Sequence, residues 1–138
     1  MKKLFILLAA CAVLSACGDS KKQEKAALDS VIKIHDKVMG SDDQLMSNKM
    51  KIDTLLKETL PGDTAATKRQ LMGLKIQLTQ AEDAMENWMQ KFDPEQKGKS
   101  HEDIMNYLEA QKAQIKTINA AIDSAVNSSA TYLKTIKK

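Results

Sequence analysis

Between positions 71 and 92 the apolar residues fall at Leu71, Leu74, Leu78, Ala81, Met85, Trp88 and Phe92. Steps of three and four alternate, so all seven share one stripe of an α-helix packed lengthwise on others. The stretch holds the only tryptophan, with Met85 and Met89 beside it, and predicts the central helix of a small bundle. A second seam reads Ile104, Leu108, Gln111, Ile115, Ile118, Ile122, Ala125, Ser129, Tyr132 and Ile136. Gln111 and Ser129 interrupt it, and polar residues in a seam fix register at some loss of stability. Upstream, Leu28, Val31, Ile32, His35, Val38 and Met39 mark a face that resumes at Leu45, Met46, Met50, Ile52, Leu55 and Leu56.

The breakers divide these patterns. Leu60-Pro61-Gly62-Asp63-Thr64 predicts a turn, with Asp63 or Thr64 as the cap of the next helix. Asp93-Pro94 opens a second connection that Gly98 closes, and Ser100 with Asp103 reads as another cap. Gly40-Ser41 interrupts the first face, and Ser41 with Gln44 matches a capping box. No polar loop separates the two halves there, which favours one kinked helix; a full break would make four helices from three. Short connections force neighbours to run antiparallel. The expected fold is all-α: an elongated up-down-up three-helix bundle on the order of 45 Å long at 1.5 Å per residue. Its helices span about 23–60, 64–92 and 101–136, in a single domain over 23–138.

The N-terminus adds location. Met1-Lys2-Lys3 is basic, the segment from 4 to 14 is apolar, and Leu14-Ser15-Ala16-Cys17 follows. The apolar run is too short for a permanent membrane span and fits a secretory signal. Its end resembles the lipobox of bacterial lipoproteins, which implies a signal over 1–16 and a lipidated Cys17 as the mature N-terminus. Residues 17–22 would then be the lipidated cysteine and a polar tether, and several acyl chains together would hold the bilayer stably. Cys11 would leave with the signal and Cys17 would carry lipid, so the mature chain offers no thiol ligand and no disulfide. Loss of Lys2 and Lys3 lowers the formal charge from +3 to about +1. The charges are interspersed, without a nucleic-acid footprint.

Candidate chemistry is sparse. Antiparallel pairing about the first turn sets His35 beside Met89 and Met39 beside Met85. Pairing about the second sets Met105 beside Trp88, with His101 just beyond. Thioethers and imidazole without cysteine favour Cu(I) or Ag(I) over zinc or calcium. His35, Met39, Met85 and Met89 are therefore a candidate metal set, with Met105 as a further ligand and Trp88 placed for a cation–π contact. The competing reading makes these methionines core filler against the indole, with no cofactor at all. A two-iron site lacks its paired Glu-x-x-His motifs, no Ser-His-Asp arrangement is visible, and Gly62 and Gly98 are turn glycines rather than a phosphate loop. A non-enzymatic module is expected, with an envelope protein as partner.

Two segments carry a resemblance: Ile34-His35-Asp36-Lys37-Val38-Met39, and the run from Ala81-Glu82-Asp83-Ala84-Met85 through Glu86-Asn87-Trp88-Met89 to Gln90-Lys91-Phe92. Tyr107-Leu108 and the Gln-Lys pair after it are a weaker third. They resemble a family of small lipoproteins of Bacteroidetes-type bacteria often named "viral A-type inclusion protein", a name that implies no activity. Gly40-Ser41 departs from that family's more regular helix. The resemblance implies a two-membrane envelope. Gly18 rather than Asp follows Cys17, and Lys21-Lys22 replace an acidic export tag, which together imply an outer-membrane anchor facing the periplasm.

Overall fold

A computed structural model of the chain describes residues 2–58 and 64–136, with side chains described from 18 onward. Its four helices are α1 (Lys2–Met39), α2 (Asp42–Lys57), α3 (Ala65–Lys91) and α4 (His101–Ile136), and there is no strand among the described residues. The turn expected at residues 60–63 and the side chain of Cys17 lie outside the described residues. Among those described, no helix is long and apolar enough to cross a membrane.

Gly40-Ser41 ends one helix, so the first rod is two helices and not one kinked helix. The Gly40 amide still reaches the Asp36 carbonyl at 3.1 Å, but the Ser41 amide turns to Val38, three residues back, at 2.9 Å. Glycine is a poor helix former, and the tightened turn ends α1. The capping box is also corrected. Ser41 has helical angles (φ −95°, ψ −6°) and makes no side-chain capping bond, because a cap needs extended geometry to aim its oxygen back at the first amides. Asp42 and Asp43 in the first turn favour the positive end of the α2 dipole instead.

The core stripe continues across this break. Val31, Val38, Leu45 and Ile52 are all buried and recur every seven residues. The two residues between the helices therefore do not turn the buried stripe of α2 away from that of α1. Five expected face positions prove too generous: Ile32, Met39, Met46 and Met50 are exposed and His35 is half-buried. The narrower seven-residue stripe suffices for a rod whose α1 half packs mainly on α4 and whose α2 half packs on α3 and α4. Residues 18–22, expected as a tether, continue α1. No breaker other than Gly18 intervenes, and Lys25 bonds Asp29 one turn on at 2.6 Å, a pairing that supports exposed helix.

The expected seam of α3 is buried from Leu71 to Trp88, with Phe92 partly buried against it. Thr64 caps the helix by accepting the Thr67 amide at 3.3 Å. In α4, Ser100 accepts the Asp103 amide at 3.2 Å and donates to its carboxylate at 2.7 Å, the cap expected there. Toward the end of α4 the seam rotates: Val126 and Leu133 are buried while Tyr132 and Ile136 are only partly so. α4 packs on α1, α2 and α3, so its buried arc is wider than one stripe.

Side-chain pairs fix the directions. Glu24 meets His101, Lys37 meets Asp123, and Asn48 meets Ser129, so numbering rises together along the first rod and α4. Lys75 meets Asp53, and Lys49 meets Glu82, so α3 runs against α2. Asn48 is the buried polar device of the core. Its amide donates to Ser129 Oγ at 2.8 Å and to the Val126 carbonyl at 3.2 Å, and Ser129 donates to the Ala125 carbonyl at 2.7 Å.

Candidate functional site

The α1 end, the α2 start, the C-terminal third of α3 and Ile122 of α4 enclose a groove of about 370 Å³. Val38, Leu45, Met85 and Ile122 supply its apolar lining. Met39 and Met89 also line it, 40 % and 41 % exposed, whereas Met85 is only 4 % exposed. Asp42, Glu82 and Glu86 add three carboxylates. Glu82 is engaged by Lys49, and Glu86 accepts the Gln90 side-chain amide at 3.2 Å. The break at Gly40 shapes this place, since it brings Met39 at the end of one helix and Asp42 at the start of the next to the same groove.

Three of the four candidate metal ligands thus meet. Met39, Met85 and Met89 share one groove, as the antiparallel pairing expects. His35 does not line it. Its ring lies 6.0 Å from the Trp88 ring, tilted by 34°, and its Nδ1 is 3.1 Å from the Asp36 carboxylate. Met105, half-buried on α4, is not among the residues lining the groove. His101 belongs elsewhere: its Nδ1 pairs with Glu24 at 2.7 Å and ties the start of α4 to α1.

Trp88 anchors an aromatic row. It stacks on Phe92 at 4.6 Å, and Phe92 faces Tyr107 at 6.2 Å. One indole face is therefore taken by carbon, and His35 lies near the ring from α1. Trp88 Nε1 is buried without a hydrogen-bond partner, an arrangement that costs on the order of 1–3 kcal/mol. The Tyr107 hydroxyl instead accepts the Asp93 amide at 2.8 Å, and the Asp93 side chain receives the Glu95 amide at 3.0 Å. These bonds organise a loop in which Gln96 (φ 44°) and Gly98 (φ 76°) both take left-handed angles.

Among the described residues no group of three or more His, Cys, Asp or Glu is placed to hold a metal. Thioether coordination of a soft ion is a separate chemistry, and the groove lined by Met39, Met85 and Met89 holds three thioethers. Asn48 was missed in the sequence. The seven-residue spacing of Val31, Val38, Leu45 and Ile52 was the available signal, since it places position 48 on the inward side. Comparison with protein-family models, with curated proteins and with solved structures returned no match.

Proposed function

We propose that this chain is a lipid-anchored lipoprotein of the bacterial cell envelope, non-enzymatic, whose helical bundle binds or supports another protein. One observation carries the binding role. Of the seven methionines after Met1, five are exposed: Met39, Met46, Met50, Met72 and Met89. Flexible, polarizable methionines on a surface suit contact with another protein. Meanwhile Leu45, Ile52, Leu71, Leu78 and Ile115 fill the interior almost without exposure, so the core does not need the missing methionines. The paired side chains support an up-down-up arrangement in which α1 and α2 form one rod against α3 and α4.

The anchor rests on Leu14-Ser15-Ala16-Cys17 after a basic and an apolar segment, and the outer membrane facing the periplasm on Gly18 at the next position. The His35-Asp36 to Met39 and Trp88-Met89 segments support membership of the small Bacteroidetes-type lipoproteins named above. Labelling with radioactive palmitate tests the anchor. Label and membrane fractionation are expected in the parent chain and lost together in Cys17→Ala; a soluble, unlabelled parent would remove the anchor from the account.

A second reading follows from the groove: a periplasmic Cu(I) or Ag(I) protein using Met39, Met85 and Met89, with His35 and Met105 recruited only if their side chains move. Titration with Cu(I) under a competing chelator, followed by Trp88 emission, tests it. A stoichiometric response that disappears in Met85→Leu/Met89→Leu supports metal handling. An unchanged emission from folded protein leaves these methionines to packing and protein contact.

A further inference from the structure

The face of α3 turned away from the core carries a pattern that nothing inside the chain explains. Arg69, Met72, Gly73, Ile76, Gln80 and Asp83 are all exposed and, at 100° per residue, lie on one side of the helix opposite Leu71, Leu78 and Met85. Met72 and Ile76 are each 54 % exposed. Gly73 stands in the middle of the helix, where glycine weakens it, yet a Cβ there would meet nothing within 4 Å. No contact among the described residues calls for the missing side chain. Close approach of another helix from outside would use it.

The charges on this face have a dyad. Arg69, the only arginine of the chain, and Asp83 stand seven residues to either side of Ile76. The charges on the flank of α3 nearest α2 are already engaged, Lys75 by Asp53 and Glu82 by Lys49. We propose that this face binds a second copy of the same chain, the two α3 helices crossing antiparallel with Ile76 on the two-fold axis. Arg69 of each copy then meets Asp83 of the other, Met72 lies against Gln80, and Gly73 lets the backbones approach. Such an isologous contact satisfies both charges twice, and an arginine–carboxylate pair is the fork geometry that carboxylate recognition favours. The segment from 69 to 83 is about 21 Å long, a seam below the area of stable interfaces. The dimer is therefore weak and exchanging, and calls for trapping.

The test uses the full chain in membranes of expressing cells. Ile76→Cys is treated with a thiol oxidant and run without reductant, beside the parent chain, which reports any linkage through Cys11 or Cys17. Gln77→Cys, exposed but a hundred degrees round the helix, is the positional control. A disulfide-linked species of twice the chain mass is expected from Cys at 76 and not at 77. Arg69→Asp should lower its yield at least roughly tenfold, because the two-fold contact loses both of its ion pairs, and Arg69→Asp/Asp83→Arg should restore it. The same charge series in a chain that keeps Ile76, read by sedimentation velocity after detergent extraction, removes dependence on the new cysteine. Equal linkage at 76 and 77, an adduct with a protein of another mass, or a double reversal that does not recover association would each overturn the proposal.

Discussion

Asn48 and Ser129 are the residues whose environment most departs from their type, since both are buried among aliphatic side chains. Asn48 donates to Ser129 and to the Val126 carbonyl, while Ser129 donates to the Ala125 carbonyl of its own helix. Ser129→Ala should therefore cost about 1–3 kcal/mol in urea unfolding, because it removes one acceptor from the Asn48 amide. Asn48→Leu/Ser129→Ala should recover most of that loss, since removing both partners of a buried polar pair is nearly neutral. A double variant less stable than either single one would show that the pair is not a closed unit. Gly73→Ala should raise stability by about 1 kcal/mol, because the added methyl meets open space and replaces the most flexible residue. The meeting of Met39, Met85 and Met89 was legible at this scale because pairing about one antiparallel turn is nearly rigid geometry. Met105 does not line that groove; α4 packs on three helices, so a level shared along the axis does not imply a shared groove.

The helices themselves were mostly readable, and the exceptions have local causes. The α3 seam and the Ser100 cap follow from spacing and side-chain chemistry within one turn of chain. The Gly40 break did not, because sequence weighs a glycine against the absence of a polar loop, whereas the backbone needs only two residues to end a helix. Equal serines at two helix starts then give unequal predictions. Ser100→Ala should destabilise by about 1 kcal/mol, within the usual range for lost caps. Ser41→Ala should change stability by no more than a few tenths, since its hydroxyl caps nothing. Thermal unfolding of the two variants side by side checks the contrast, and equal losses would mean that Ser41 does cap α2 in solution.

At the scale of the whole molecule, aliphatic residues fill the interior while five methionines are exposed on the surface, the feature on which the proposed contact role rests. On the function proposed above, such a bundle would act through its membrane address and a face that another protein recognises. Hydrogen peroxide oxidises accessible thioethers, so the methionines report both halves of the account in one experiment. Their oxidation rates can be compared, by peptide mass spectrometry, between purified protein and the same chain in its native envelope. In purified protein Met50, 61 % exposed, should react fastest and Met85, 4 % exposed, slowest. Ag(I) should protect Met39, Met85 and Met89 together if the groove holds a soft ion. In the envelope Met39, Met46, Met50 and Met89 should all slow several-fold while Met85 stays slow, the footprint of a protein covering that side of the bundle. Rates in the envelope identical to those of the purified protein would contradict the binding role directly.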